Sequence, residues 1–444
     1  VKVSVIGVGY VGLVTAACLA KCGHLVTGVD LSEEKIRILS SGSIPIWEPG
    51  LNETLLEARE AGRIRFTTHI IEAIKKAEVV FIAVGTPSRS DGTPDLTQVW
   101  SIVEMIAKHG RPNQCIVVKS TIPIGTTDQI DEYLKLESSI SFMDVVHNPE
   151  FLRQGQAVHD FLFPDRIVVG LVNEQAKQVM QELYEPISYG IHFCDRKSAE
   201  MIKYAANSFL AMKISYINMF AQICEQVGAN IDEVAKGIGT DSRIGTAFLQ
   251  AGIGYGGSCF PKDTQAMLTI GKQMGIDLPL IRATNQINQK QPERLVNRLE
   301  EILEGLEQKK VTLLGLSFKP NTDDLREASS IKVSQLCLER GAEVHAYDPL
   351  VKKYPIAEVI VHQTLESALS QSDAALIITE WDEFRQLDWA KLPPLMKHPL
   401  LFDGRNTFHL EEMKYISDQY GIIYHSIGRP SVLPSPAKTP VTKR

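Results

Sequence analysis

The sequence predicts an α/β protein with two doubly wound parallel sheets joined by a long central helix. Three observations predict it. Short β-branched runs in the N-terminal third end in glycine-rich or polar turns, residues 199–227 keep a helical period without Pro or Gly, and the C-terminal third repeats the order of the first. At 444 residues the chain is long enough for two or three domains, and 44% hydrophobic with 22% charged residues is ordinary for a globular protein. A net charge of -7 argues against a nucleic-acid partner bound by bulk positive charge. The seven cysteines (18, 22, 115, 194, 224, 259 and 337) are scattered without a CxxC pair, which suggests neither a disulfide framework nor a metal site. A reducing, cytoplasmic setting is expected. The first residues enter a strand without a signal-like segment, and no run of about 20 apolar residues predicts a membrane span.

Lys2-Val3-Ser4-Val5-Ile6 is the first strand, and Gly7-Val8-Gly9-Tyr10-Val11-Gly12 follows at once. Leu13 to Lys21 reads as a helix, and Leu25 to Val29 as a second strand ending at Asp30. That is the complete context of a Rossmann-like dinucleotide turn. Gly7 makes the turn, Gly9 lets a pyrophosphate approach the backbone, and Gly12 lets the helix pack against the strand. Tyr10 and Val11 open the helix, whose free N–H groups face the phosphates. Asp30 can accept from both ribose hydroxyls and would repel a 2′-phosphate, so NAD is expected rather than NADP; Lys35 is included among the cofactor-facing positions.

Further strands run over Glu78 to Val84, Cys115 to Lys119 and Phe142 to His147. Polar turns follow them: Gly85-Thr86-Pro87, the stretch Ser120 to Thr127, and Asn148 to Arg153. Ligands of open parallel sheets bind at such carboxyl ends, which makes Thr86, Thr121 and Glu150 candidates for cofactor or substrate; capping of the following helix is the local alternative for each. Arg166 to Gly170 is expected to close this domain as one more strand.

In the middle, Met201, Ala205, Phe209, Met212, Tyr216 and Met219 form an apolar stripe along the long helix. A helix of this length suits a dimer face. Lys203 and Asn207, four apart, point the same way. The stretch Gly254 to Asp263 then gathers a thiol, a cation and a carboxylate behind three glycines. On its own it reads equally as a turn with a half-buried Cys259 and solvated charges, or as a reactive thiol beside Lys262.

In the last third, Val311 to Phe318 parallels Val3 to Tyr10, and Gly341 to Asp348 parallels Gly23 to Asp30. Ser317-Phe318-Lys319-Pro320 replaces the later glycines, so a pyrophosphate cannot nest there in the same way. Lys319, Arg326 and Arg405 are the available cations for a second, nucleotide-like anion. The expected organisation is a first domain over 1–196, a helical segment over 197–298, a second doubly wound domain over 299–428 and a Pro-rich flexible tail over 429–444.

Together these segments resemble the nucleotide-sugar dehydrogenase family that includes the UDP-glucose and GDP-mannose dehydrogenases. The resemblance covers residues 1–428. It rests on GVGYVG at 7–12, GTP at 85–87, STIPIGT at 120–126, NPEFLR at 148–153, the Lys203/Asn207 helix, FLQAGIGYGGSCFPKD at 248–263 and GLSFKPNTDDLRE at 315–327. It implies two Rossmann-like domains joined by a helical segment with a dimerising core helix. It also implies oxidation of a sugar C6 alcohol to a carboxylate with two NAD and one water. By resemblance Cys259 is the nucleophile, and Lys203 and Asn207 steady the oxyanion. Asp263 and Glu150, helped by Thr121, are the candidates that organise or deprotonate water, with the choice between them open. Lys262 is implied near the cofactor, and Arg326 near the cofactor or the interdomain seam. Implied substrate contacts are Glu150, Phe151, Leu152, Arg153, Phe248, Leu249, Gln250, Ala251, Gly252, Tyr255, Gly256, Phe260, Phe318, Lys319 and Arg405, with Lys203 and Asn207.

One position departs from the family: Gln154 stands where the common pattern E-F-L-R-E-G has Glu. The stretches 248–252 and 165–170 look more like the UDP-glucose branch than the GDP-mannose, UDP-N-acetylglucosamine or UDP-N-acetylmannosamine branches. A β-hydroxyacid dehydrogenase would share the NAD half and a Lys/Asn helix, but transfers one hydride and has no use for Cys259. A non-catalytic NAD-binding protein would have no use for Cys259, Lys203, Asn207 and Asp263 together.

Overall fold

The computed structural model describes residues 1–187 and 190–435. The backbone packs into two compact units: Val1–Ala206 with Gln265–Ile276, and Asn207–Thr264 with the chain from Asp277 on.

In the first unit the described residues form an eight-stranded sheet. Its strands are β1 (Lys2–Ile6), β2 (Leu25–Val29), β3 (Ile64–Thr67), β4 (Val79–Ile82), β5 (Cys115–Val118), β6 (Asp144–His147), β7 (Ile167–Gly170) and β8 (Ile191–Cys194), in the order 3-2-1-4-5-6-7-8. β4, β5, β6 and β7 are buried along their whole length, because helices cover both faces of a parallel sheet. Two expectations are corrected here. β7 meets β6 in antiparallel fashion, and it does not close the sheet, since β8 runs parallel beyond it. The strand β3 had no clear signal in the sequence, since its charged Arg65 interrupts a four-residue run.

The second unit carries a six-stranded, wholly parallel sheet of β9 (Lys310–Leu314), β10 (Glu343–Tyr347), β11 (Ile360–Val361), β12 (Ala374–Ile377), β13 (Leu400–Asp403) and β14 (Ile423–Ser426). Its order, 11-10-9-12-13-14, reproduces the 3-2-1-4-5-6 order of the first sheet. The turns after β1 and β9 also match. Gly7 and Gly315 both have φ of +92°, and each donates its N–H, at 2.8 Å, to the last residue of the neighbouring strand. In both, an added Cβ would strike the chain after the next strand, at Val84 and at Thr379. Beyond the turn the halves part. Asp30 faces outward and pairs with Lys35 at 2.7 Å. Asp348 is wholly buried and accepts from the N–H groups of Leu316, Ser317, Leu350 and Val351 and from Trp381 Nε1. The amides of Leu316 and Ser317 in the second turn are therefore spent on the protein's own carboxylate.

The core helix runs from Arg196 to Val227, 32 residues or about 48 Å. It stops at Gly228, whose φ of +73° lets the Ala229 N–H turn back to the Cys224 carbonyl. Tyr204, Ala211, Ser215, Ile217 and Asn218 are buried, while Met201, Phe209, Tyr216, Met219, Ile223 and Val227 are exposed. No helix of the described residues is long and apolar enough to cross a membrane.

The expected tail begins too early. Arg429 is buried, donating to the Phe408 carbonyl at 2.8 Å and to Asp232 at 2.9 Å, and Val432 bridges to Tyr424. A guanidinium that satisfies buried acceptors cannot belong to a free tail. Residues 436–444, the remainder of that expected tail, lie outside the described residues.

The two aspartates give a stability test. Asp348→Ala orphans five donors, four of them buried, and should cost about 3 kcal/mol or more, lowering the denaturant midpoint. Asp30→Ala breaks a partly exposed pair and should cost under about 1 kcal/mol. Equal losses in parallel urea titrations would contradict the structural assignment of Asp348.

Candidate active site

The dinucleotide turn is built as a cradle. An added Cβ on Gly12 would lie 1.8 Å from the Gly7 carbonyl oxygen, so the turn closes on itself and tolerates no side chain there. Gly9, by contrast, has nothing within 4 Å of its Cβ position, which leaves its backbone open to a ligand. The helix Tyr10–Lys21 begins with no side-chain cap and no acidic residue in its first turn. Uncapped N–H groups, an open Gly9 and the outward Asp30 fit a dinucleotide pyrophosphate and ribose. Thr86 donates to the Thr121 carbonyl at 2.9 Å, tying the loops after β4 and β5 together. The Tyr10 hydroxyl turns away to donate to Glu48.

At the end of β6 the chain buries Glu150, which reaches back to Lys203 on the core helix. Lys203 Nζ donates to Glu150 Oε1 at 2.9 Å and to the Glu150 carbonyl at 2.7 Å, and the Leu152 N–H donates to Oε2 at 2.7 Å. Burial works to raise the Glu150 carboxyl, but Lys203, its hydrogen bonds and Lys119 outweigh it and hold the group below the usual carboxylate range. Lys119 is a second buried cation that sequence reading did not single out. It donates to Asn148 at 3.1 Å, and burial drops its ammonium to about 8. Burial and these two lysines push His147 to about 3, so its imidazole is neutral. Phe151 is overlaid by the Arg166 guanidinium at 3.9 Å from the ring centroid, with Lys203 at 5.4 Å.

In the second unit Cys259 is the residue immediately before the helix Phe260–Gln273, and its carbonyl accepts from the Asp263 N–H at 2.8 Å. Its Sγ lies 3.7 Å from Ser258 Oγ, and the side chain is part-exposed. A thiol at a helix N-terminus faces the positive end of the helix dipole, which favours thiolate. Asp263 is buried and accepts from Asn207 Nδ2 at 2.6 Å and from Lys262 Nζ at 2.6 Å. Lys203 and Asn207 thus sit one turn apart on one helix, each bonded to a different buried carboxylate.

Packing within the protein itself requires the glycines of the thiol loop. An added Cβ on Gly254 would lie 2.6 Å from Asn288 Oδ1, on Gly256 2.1 Å from the Glu327 carbonyl, and on Gly257 2.7 Å from the Phe318 ring. They let the loop lie against the protein's own 318–327 segment and the helix Pro279–Leu303. Asn288 holds Tyr255 by both backbone groups, and the Tyr255 hydroxyl donates to Asn285. Phe260 packs edge-on against Phe248 and Tyr255. Leu249, Ala251 and Gly252 are buried, and Gln250 reaches the Arg405 carbonyl.

The cations are less available than the sequence suggests. Arg405 donates to the carbonyls of Ile378, Gly254 and Phe318, so it clasps the thiol loop to the 318 segment. Arg326 is forked onto Asp324, and Lys319 lies over the Phe318 ring. Arg153 is held by Asp160. Three acidic residues escaped sequence reading. Glu48 binds Tyr10, Gly155 and Ala157, Glu200 caps the Thr126–Glu137 helix through Gly125 and Thr127, and Asp403 holds Arg405 and Thr407 by their N–H groups. The partners of Glu48 and Glu200 lie up to 109 residues away, beyond any local spacing rule.

Comparison with known proteins agrees along the whole chain. Residues 1–188 match the NAD binding domain, 197–290 the central domain and 312–410 the UDP binding domain of the UDP-glucose/GDP-mannose dehydrogenase family. The chain is 44% identical to UDP-glucose 6-dehydrogenase YwqF of Bacillus subtilis, over 98% of this chain and 99% of that protein. Its fold superposes on a UDP-glucose dehydrogenase from Pyrobaculum islandicum with a TM-score of 0.89 at 36% identity, covering 97% of this chain and 98% of the other. A UDP-D-ManNAc dehydrogenase from Pyrococcus horikoshii gives 0.86 at 30% identity, covering 97% and 99%.

The buried Glu150–Lys203 pair makes a pH prediction. Glu150→Gln removes the charge opposite Lys203 and should cost about 3–5 kcal/mol at pH 7. Because the folded carboxyl is depressed, its contribution is present above the unfolded pKa and lost as pH falls through the folded one. The wild type should therefore lose its advantage below about pH 4. Thermal melts of both proteins from pH 7 to pH 3 check this; a gap that stays constant on acidification would contradict it.

Proposed function

We propose that this chain, which belongs to the UDP-glucose/GDP-mannose dehydrogenase family, carries out the four-electron oxidation of UDP-glucose to UDP-glucuronate through a covalent Cys259 adduct. The observation that carries the reading is the thiol at the start of a helix, beside the buried Asp263–Asn207 pair. A one-step alcohol oxidation has no need of such a group.

NAD supplies, when bound, the acceptor for one hydride, so two NAD are needed in turn, and Gly7, Gly9, Val11, Gly12, Asp30, Thr86 and Thr121 would hold each. Cys259 adds as thiolate to the aldehyde carbon: a C–S bond forms and the carbonyl electron pair moves to oxygen, giving a thiohemiacetal. Loss of the second hydride from that carbon re-forms the carbonyl as a thioester. Water then adds, the C–S bond breaks, and the electron pair returns to sulfur as the carboxylate leaves. The negative oxygen of each tetrahedral adduct needs donors, and Lys203 Nζ with Asn207 Nδ2 supply an ammonium and an amide one helical turn apart. Glu150 and Asp263 hold those donors in orientation, and with Thr121 they order the water. The UDP end belongs to the second doubly wound half, with Phe318, Lys319, Arg405 and the 248–252 stretch as its contacts.

Two further points belong to the same reading. The exposed stripe Phe209, Tyr216, Met219, Ile223 and Val227 on the core helix suits a second copy of the chain, giving a homodimer. Seven free thiols suit a cytoplasmic location.

The test is stoichiometry and a single substitution. Two NADH per UDP-glucose are expected, and Cys259→Ser should lower acid formation by about 10³-fold or more. One NADH per sugar, or undiminished acid formation by the variant, would refute the covalent route. NADH from UDP-N-acetylmannosamine or GDP-mannose, with none from UDP-glucose, would move the substrate within the family.

A further inference from the structure

Glu48 lies outside every segment that the reaction uses, yet it is buried and its carboxylate is fully engaged. It stands in the loop between the helices Glu33–Ser41 and Leu51–Glu60. One oxygen, Oε2, accepts from the Tyr10 hydroxyl and from the Gly155 N–H at 2.7 Å. The other, Oε1, accepts from the Ala157 N–H at 2.7 Å. Gly155 also donates to the Tyr10 oxygen at 3.1 Å. Tyr10 is the first helical residue after the glycine turn, and Gly155 and Ala157 end the loop that starts at Glu150.

That loop is held along its length. Lys203 grips its start at the Glu150 carbonyl. Asp160 grips its middle, accepting from the Arg153 N–H at 2.9 Å and from both arms of the guanidinium. Asp160 itself stands on the short helix Ala157–Leu162, whose first N–H is the one that Glu48 accepts; Gln156, at the cap position, makes no side-chain cap of its own. Glu48 therefore sets the register of the Glu150–Arg153 loop against the dinucleotide turn, with the Tyr10 hydroxyl and the Gly155 N–H sharing one carboxylate oxygen and the Ala157 N–H on the other.

We propose that Glu48 is a positioning residue that couples the two ligand loops, so that the Tyr10 hydroxyl governs nucleotide-sugar binding although Tyr10 belongs to the dinucleotide turn. The inference rests on the reading that the 150–153 loop meets the nucleotide sugar. A carboxylate shared by the Tyr10 hydroxyl and the loop's N–H groups transmits a shift of either one, and small misplacements of a binding loop weaken binding measurably.

The test is equilibrium binding of UDP-glucose to the full chain by calorimetry with no dinucleotide present, so that no effect can arise through the cofactor. Tyr10→Phe, which removes one oxygen, should weaken UDP-glucose binding by about fivefold with an unchanged melting temperature. Glu48→Gln should weaken it at least as much. The double variant should be no worse than Glu48→Gln alone, because both changes break one link. In turnover, the KM for the sugar nucleotide should rise more than kcat falls. Binding by Tyr10→Phe within twofold of wild type, or losses that multiply in the double variant, would overturn the coupling; if Glu48→Gln does not fold, the Tyr10→Phe measurement decides. A wild type that binds no UDP-glucose would show itself in the control and would remove the functional reading, and this inference with it.

Discussion

Each unit buries one carboxylate that is answered by a side chain of the core helix. Burying a carboxylate costs several kcal/mol unless a cation and N–H donors meet it. Glu150 is met by Lys203 and the Leu152 N–H, and Asp263 by Lys262 and Asn207. Each acid fixes the rotamer of one core-helix side chain. Because Lys203 and Asn207 are four residues apart in a continuous helix, their spacing is set by the helix and not by loops.

The two halves of the chain show how one topology is turned to two purposes. The strand order, the turn glycine and the bond from that glycine to the neighbouring strand are the same. What differs is the use of the first free amides. In the first half nothing from the protein fills the space at Gly9, and Asp30 stays at the surface. In the second half Asp348 swings in and takes the amides of Leu316 and Ser317. Ser317 then stands where the first half has Gly9, and Pro320 where it has Gly12, so the second turn lacks the bare backbone of the first.

The fold was legible in the sequence because its signals are local. Strands β1, β2, β4, β5 and β6 and the core helix fall within a few residues of their expected positions, since β-branched runs and helical periods are read over short windows. The antiparallel entry of β7, the edge strand β8 and the packed segment at Arg429 were not legible, because each depends on a partner distant in sequence. The same division runs through the site. The sequence offers Lys203, Asn207, Glu150 and Asp263 as candidates, but not that Lys203 bonds Glu150 while Asn207 bonds Asp263. It offers Arg405 as a free cation, whereas three backbone carbonyls claim it. Glu48, Glu200 and Lys119 look like surface charges until the fold closes over them.

The thiol loop shows why this hidden scaffolding matters for chemistry. The loop before Cys259 is rich in glycine, yet its backbone is held in place. Stiffness here comes from close approach. Gly256 and Gly257 let the loop backbone touch Glu327 and Phe318, where any side chain would hold it away. Arg405 and Asn288 then tie Gly254 and Tyr255 by their backbone groups. With these residues pinned, the chain reaches Cys259, and the helix Phe260–Gln273 begins with the next residue. Glycine, the residue that costs most entropy to order, is used where the packed loop around it restores the order that its backbone lacks.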